Sequence, residues 1–319
     1  MGSDSNLKQS WIEMQYFPVF LDLVDKPVLV VGGGEVASRK VEALHKAGAD
    51  VTVVSPSLDE FLKQFAQDQK ITWVQRFYSA ELVTNKFVQV WATTDNPELN
   101  HQVYKDAKMY NILVNVVDDK PFCDFITPSM INRGRIQVAI SSGGASPVLI
   151  RNVREKLEAI LPQNLNLLAE FANSKRNSIK DALPSVDLRR KYWEHYFADT
   201  RVENACDNRQ LEVVYQELLQ HQIDTKGCCV WIEVGDDIEM LPIKALRYMQ
   251  QAELVLTCID CKNDVLELVR RDAQRDIFVS AAELSEKLAK AEKRDLRICI
   301  FIPQNTKEFL FLQGKNLVL

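Results

Sequence analysis

The chain has 319 residues, 46% of them hydrophobic and 26% charged, with 39 Lys and Arg against 44 Asp and Glu for a formal net charge of -5. That is room for more than one hydrophobic core, and the acidic balance leaves no overall electrostatic footprint for DNA or RNA, so an anionic ligand would be met by local basic groups. No apolar run approaches the roughly 20 residues of a membrane helix, and the polar start Met1-Gly2-Ser3-Asp4-Ser5-Asn6 lacks the parts of a secretory signal; a cytoplasmic protein with no nucleic-acid and no membrane partner is expected.

Seven scattered cysteines, Cys123, Cys206, Cys228, Cys229, Cys258, Cys261 and Cys299, do not form a secreted disulfide framework and read as reduced thiols. Residues 1 to 10 are expected to be disordered. In the segment that follows, Phe17-Pro18-Val19-Phe20-Leu21 is expected to pair beside the first strand or pack under it.

From Pro27 the pattern changes. Pro27 to Val31 is an apolar run, Gly32-Gly33-Gly34 a tight turn, and Glu35 onward a helical pattern with Val36, Val41 and Leu44 on one face. Gly32, Gly34 and Ala37 fit G-x-G-x-x-G/A. In that motif the first glycine permits the turn, the second lets a pyrophosphate reach the backbone, and the small third residue lets helix pack on strand. An anion would sit on the free N–H groups of the helix start, beside Gly32-Gly33-Gly34. Further strands are predicted at 51-54, 71-74, 87-92 and 112-117, with helices at 34-47, 57-68 and 96-109. The alternation predicts an α/β fold, a Rossmann-like doubly wound parallel sheet.

Such sheets bind ligands beyond the carboxyl ends of their strands. Pro56 and Ser57 follow the second strand, Thr93, Thr94 and Asp95 the fourth, and Asp118 and Asp119 the fifth. Asp119, before Lys120-Pro121, reads as a turn residue; Asp118, directly at the strand end, is as open to chemistry as to a turn. Ser55 and Ser57 occupy the place of the usual ribose-binding acid, so this position does not choose between NAD and NADP.

Residues 125 to 142 read as two strands around Asn132-Arg133-Gly134, and Gly143-Gly144-Ala145-Ser146-Pro147 opens a helix, with Ser146 as N-cap and Pro147 as first helical residue. The glycines could leave N–H groups aimed at an anion, with Ser142 beside them. Arg151, Arg154 and Lys156 either meet ligand carboxylates or form a solvated face. Residues 164 to 222 read as helical. Beyond them strands at 228-234, 254-257 and 296-302, with helices at 240-251, 263-273 and 281-293, predict a short second α/β unit. Cys228-Cys229 and Cys258-x-x-Cys261 lack zinc spacing, and the four histidines, His45, His101, His195 and His221, form no H-x-x-x-H pair, so no permanent metal site is expected.

The order of these pieces resembles the precorrin-2 dehydrogenase and sirohydrochlorin ferrochelatase module of siroheme synthases. The likeness rests on Val30 to Lys40, Ala47-Gly48-Ala49, Ala92-Thr93-Thr94-Asp95, Asn115-Val116-Val117-Asp118, Phe125 to Ser129 and Ser141 to Pro147, and Arg189 to Glu194 extends it. It implies NAD as cofactor, precorrin-2 and sirohydrochlorin as tetrapyrrole substrates, Fe2+ as a further substrate, and siroheme biosynthesis as the role. It also implies a homodimer made largely through the segment after Asp118. By the same resemblance Asp118 is the catalytic carboxylate, Glu35, Val36, Pro56 and Ser57 contact NAD, and Ser142 falls where some members carry a phosphoserine. The substrate carboxylates would then be met by Arg133, Arg135, Arg151 and the Gly143-Gly144 helix start. The expected organisation is an NAD-binding domain over 11-120, a dimerisation and substrate segment over 121-150, a small helical domain over 151-224 and a C-terminal unit over 225-319. A dehydrogenase without iron insertion, or a non-enzymatic NAD-sensing regulator, are the competing readings.

The C-terminal unit resembles the start of uroporphyrinogen-III methyltransferase through Met249 to Leu256 and Asp264 to Ala273. Its glycine-rich loop is replaced by Ile232-Glu233-Val234-Gly235-Asp236-Asp237, and its Gly-Gly-Asp-Pro segment falls near Phe301-Ile302-Pro303-Gln304-Asn305. With no second subdomain following, the resemblance implies a remnant without cofactor or substrate sites, kept for packing or interaction.

Overall fold

The structure is a computed structural model and describes residues 16–220, 227–258, 263–314 and 316–319. The expected disorder of residues 1 to 10, and Trp11, His221 and Cys261, lie outside the described residues. The chain divides into two compact units, Met1–Leu161 and Pro162–Leu319.

In the first unit β1 (Pro27–Val31), β2 (Asp50–Val54), β3 (Thr72–Val74), β4 (Gln89–Ala92) and β5 (Leu113–Val116) form one sheet of order β3-β2-β1-β4-β5. Every pairing is parallel. The crossovers are α1 (Glu35–Lys46), α2 (Glu60–Gln67) and α3 (Pro97–Lys108). Helices cover both faces, so the central strands are apolar on both sides. Val28 and Val30 pack with Val41 and Leu62 on one face, and Leu29 and Val31 with Val103 and Val114 on the other. Each such side chain contributes about 1.5–3 kcal/mol through burial. α2 and α3 start where Asp59 and Asn96 accept the N–H groups of Leu62 and Leu99.

After β5 the chain folds back: Asp124 N donates to Val114 O at 2.8 Å, and the Asn115 side chain donates to Phe125 O at 2.8 Å. The predicted strand pair follows as an antiparallel hairpin, β6 (Ser129–Arg133) with β7 (Ile136–Ile140), and then α4 (Pro147–Ile160), capped by Ser146. The apolar run at Phe17 does not behave as expected. Phe17, Val19 and Phe20 are 82%, 61% and 67% exposed, with no strand assigned there, so the segment neither pairs with β1 nor packs under its sheet. Parallel neighbours already occupy both edges of β1.

The second unit begins with α5 (Leu165–Ser174), α6 (Arg176–Ala182), α7 (Val186–Ala198), α8 (Thr200–Glu203) and α9 (Asn208–Gln220). Their core is aromatic, around Phe171, Tyr192, Tyr196 and Tyr215. The buried phenols of Tyr192 and Tyr196 donate to the carbonyls of Tyr215 and Leu211 at 2.8 and 3.0 Å, and burial pushes both above their ordinary pKa.

A second all-parallel sheet has the order β10-β9-β11-β8-β12. It is built from β8 (Cys229–Val234), α10 (Ile243–Gln251), β9 (Leu254–Cys258), α11 (Asn263–Glu267), β10 (Gln274–Phe278), α12 (Ala281–Glu292), β11 (Ile298–Pro303), α13 (Leu310–Gln313) and β12 (Leu317–Val318). α11 stops at Glu267, short of the expected 273, and the chain turns into β10 instead.

Glu253, just ahead of β9, is 5% exposed and pairs with Arg190 of α7. It also accepts the backbone N–H of Arg297 at 2.8 Å. Arg297 and Arg270 reach Glu194 of α7 at 2.6 and 3.3 Å. Charges thus tie the helical core to the amino edge of this sheet. Burial pushes the thiols of Cys229 and Cys299 up to about 12, which makes them unreactive, and no metal-binding group of His, Cys, Asp and Glu occurs among the described residues.

Candidate functional site

The glycine turn is held from behind. Gly32 has φ +122°, and its N–H donates to Val54 O at 3.0 Å. A Cβ there would lie 2.6 Å from the Thr93 hydroxyl, which itself donates to Val31 O at 2.9 Å. A Cβ on Gly33 would run into the carbonyl of Ser57. Gly33 O in turn accepts Asp59 N at 2.8 Å, and the Asp59 carboxylate takes the hydroxyl of Ser38 on α1. Gly34 is different, because a Cβ on it would meet nothing within 4 Å. Packing therefore demands the first two glycines, while the third faces open space beside the start of α1, where no side chain caps the helix. This is the cradle that a pyrophosphate needs, with helix N–H groups aimed at it. Ala37 is fully buried at the small position of the motif.

A crevice of about 620 Å³ opens above this turn, within the size range of ligand sites. Gly32, Gly33, Gly34, Glu35, Val36, Pro56, Thr93, Thr94 and Asp118 all line it. Ser57 does not, because it backs the loop through its carbonyl. Thr93 is buried with its hydroxyl turned to Val31, so it supports the turn more than it offers a ligand contact. The sequence did not point to Phe77, Tyr78 and Leu99, which add apolar wall. Phe77 and Tyr78 lie past the end of the short β3, where no glycine or acid marks the rim.

Asp118 stands at the corner where the chain leaves β5. It is exposed, with φ +57°, a left-handed conformation that Asp tolerates better than most residues. Asp119 turns away to His101, Oδ2 to Nε2 at 2.6 Å, and that imidazole stacks on Phe122. Asp124 receives Val114 N and Lys108 Nζ at 2.8 and 2.9 Å, at the opposite end of β5. Of the acids after β5, Asp118 alone lines the crevice.

A second crevice of about 400 Å³ lies between the hairpin and α4, lined by Thr127, Ser129, Ser142, Gly144, Arg151 and Arg154 among others. Ser142, Gly144 and Arg151 are brought together there. Lys120 donates to Gly143 O at 2.8 Å and occupies the space where a Gly144 side chain would sit. The expected anion nest is partly closed by its own serines: Gly143 N donates to Ser141 Oγ at 3.0 Å and Ser146 N to Ser142 Oγ at 3.1 Å. Arg133 is not brought to this crevice. Its guanidinium pairs with Glu158 at 2.5 Å with little exposure, because the alternating strand places it against α4 at the far end of the hairpin. Arg135 does not line the crevice either.

Comparison with known proteins agrees with this layout. Residues 19–129 match an NAD(P)-binding family, 133–160 the family described as sirohaem biosynthesis protein central, and 164–222 the sirohaem synthase dimerisation region. The region named for dimerisation is thus the helical segment, whereas 121–150 was expected to carry the dimer contact.

A siroheme synthase of Mannheimia succiniciproducens is 43% identical over 309 residues, covering 96% of this chain and 62% of that protein. One from Actinobacillus pleuropneumoniae serotype 3 is 40% identical over 301 residues, covering 89% and 62%, and siroheme synthase 1 of Serratia proteamaculans is 40% identical over 308, covering 94% and 64%. The chain therefore spans somewhat under two thirds of the length of these relatives. The solved structure of SirC, a precorrin-2 dehydrogenase, is 23% identical with a TM-score of 0.53, over 65% of this chain and all of that one, a likeness of fold. No described helix is long and apolar enough to cross a membrane. Residues 19–222 of this chain are an N-terminal module of the siroheme synthase family, with its NAD(P)-binding, central and dimerisation regions in order.

Proposed function

We propose that the chain oxidises precorrin-2 to sirohydrochlorin with NAD and inserts Fe2+ into the product to give siroheme. The observation that carries this is Asp118, an exposed carboxylate in a left-handed corner on the rim of the dinucleotide crevice. Oxidation removes a hydride and a proton from the macrocycle. NAD, when bound, supplies the hydride acceptor. This chain's part is to hold the dinucleotide on Gly34, Glu35 and Val36 and to take the proton on an Asp118 carboxylate oxygen. Iron insertion expels two pyrrolic protons, which the same carboxylate accepts one at a time, passing each to the solvent it faces. Ser142, Gly144 and Arg151 would meet the substrate's carboxylates in the neighbouring crevice. The test is an anaerobic incubation of the full chain with precorrin-2 and NAD, with and without Fe2+, followed by absorption spectroscopy. Sirohydrochlorin without iron and siroheme with it are expected; unchanged precorrin-2 would refute the reading, and sirohydrochlorin under both conditions would leave a dehydrogenase alone.

The chain acts, on this reading, as a homodimer. The match of 164–222 to a dimerisation region supports it, as does exposed apolar surface at Val186 and Phe197 of α7 and at Met130 and Ile136 of the hairpin. Sedimentation at micromolar concentration should give twice the chain mass, and a monomer would count against the assembly.

The unit over 225–319 is proposed as a methyltransferase-like remnant that binds no S-adenosylmethionine. At the end of β8, a Cβ on Gly235 would meet the Gln304 side chain at 2.7 Å, and Asp237 is engaged in capping the next turn through Glu239 N at 2.9 Å. Calorimetry on the full chain should therefore show no heat with that cofactor. Micromolar binding would overturn the assignment.

A further inference from the structure

Asp118 has to be aimed by its backbone. Among the described residues no hydrogen bond or ion pair reaches its carboxylate. The left-handed turn it makes, φ +57°, is closed by Asp119 N donating to Val116 O at 3.4 Å, longer than a usual backbone bond. The chain just past the turn is held more firmly. Asp119 Oδ2 accepts the Nε2–H of His101 at 2.6 Å, with both side chains partly buried. The face of the same imidazole stacks on Phe122, ring centroids 4.0 Å apart, and Phe122 meets Tyr104, one turn further along α3, edge-on at 5.1 Å. Phe122 N donates back to Asp119 O at 3.1 Å, closing the short helical turn Lys120–Phe122. At the start of that turn Lys120 donates to Gly143 O at 2.8 Å, next to Gly144 on the second crevice. α3 is a firm base for these contacts, because Val103 and Ala107 hold it in the core. His101 lines neither crevice, so it has no ligand contact of its own.

We propose that His101 is a positioning residue for Asp118: by gripping Asp119 and stacking on Phe122 it locks the turn after β5 onto α3, and so fixes the direction in which the Asp118 carboxylate faces the crevice. The inference rests on the proposed function for its catalytic meaning, but the grip can be tested without it. The lever is one peptide long, since Asp118 and Asp119 are consecutive. Releasing Asp119 lets the Cα–Cβ bond of Asp118 swing, and a base displaced by about 1 Å is a poor one. A hydrogen bond to a carboxylate is about twice as strong as one between neutral groups, which suits it to hold a turn that its own backbone closes loosely. A His–Asp pair that only stabilised the fold would lower Tm and leave the rate per folded chain alone.

Two measurements separate this inference from the reading it rests on. The first is amide hydrogen exchange of the full chain, followed by mass spectrometry. In His101→Ala, exchange over residues 118–123 should rise while that over 28–34 stays as it was. Alanine is the best helix former, so α3 is spared. Unchanged exchange over 118–123 overturns the grip, whatever the chain catalyses. The second is the dehydrogenase assay, in which the same variant should lose about 10- to 100-fold in kcat with the NAD KM unchanged. His101→Gln, which presents an N–H with similar reach, should recover most of it. Asp119→Ala should give the same loss and the double variant no more, because both cut one link. Unchanged kcat in His101→Ala, or losses that add in the double variant, overturns the positioning role even if exchange rises. Raised exchange in a chain whose unmutated form is inactive supports the grip and refutes only the proposed reaction.

Discussion

Asp118→Asn is expected to lower precorrin-2 oxidation and iron insertion together, by the roughly 10²- to 10⁴-fold typical of a lost general base, with NAD affinity unchanged. Asparagine keeps the size of the side chain and tolerates the left-handed corner, φ +57°, so the loss is not confounded by backbone strain. Alanine at the same place would add a backbone cost of about 1 kcal/mol. Steady-state rates for the two reactions, alongside NAD titration by fluorescence, decide the matter. Full activity in both assays would reduce Asp118 to a turn residue. Among the neighbouring acids the base would then have to be Asp95, which lines the crevice; Asp119 is engaged with His101, and Asp124 lies at the other end of β5.

Gly34→Asp should separate the two reactions. The new carboxylate would stand in the open space beside the α1 start, where the pyrophosphate must come, and like charges in contact cost several kcal/mol. NAD affinity should therefore fall about 100-fold or more, and dehydrogenation with it, while iron insertion into supplied sirohydrochlorin persists. Folding should be spared, because a side chain at Gly34 meets nothing within 4 Å. The control is Gly33→Ala, one residue away, whose methyl group collides with Ser57 and Ser55. That variant should lose about 1–3 kcal/mol of stability or more, seen as a lower Tm, with any loss of NAD binding following from unfolding. If Gly34→Asp binds NAD normally, the dinucleotide does not pass over this turn.

The first sheet was legible because parallel strands buried on both faces carry a plain signal: five apolar runs separated by amphipathic helices, with glycines at the first turn. The hairpin was equally plain from its Asn-Arg-Gly turn. β10 escaped because Gln274-Arg275-Asp276-Ile277-Phe278 is an edge strand with only Phe278 buried, so no period of two shows. The helical period before it was extended through residues that form the turn. Phe17 to Leu21 shows the converse limit, since apolar composition reports a preference for burial but names no partner.

At the site, residues defined by backbone chemistry were readable, as Gly32, Gly34 and Asp118 were. Those defined by contact were not. Arg133 looked like a free cation, yet Glu158 on α4 claims it, 25 positions away in sequence. Lys40 entered the sequence reading only as the end of the Val30 to Lys40 stretch. Only the packing of α1 against Trp91 and Phe125 turns it inward.

The three family matches end at residue 222, yet the energetics have no seam there. Arg190, Lys191 and Glu194 of α7 face Glu253, Arg270 and Arg297 from the sheet beyond. Glu253 is too deeply covered for water to substitute for its partners. Each side of the border thus holds charges that the other side helps to neutralise. A catalytic loop can erode one residue at a time without disturbing such an arrangement, but removing the whole segment would strand several ions at once. On the remnant reading proposed above, such a segment sheds its chemistry far more easily than its mass.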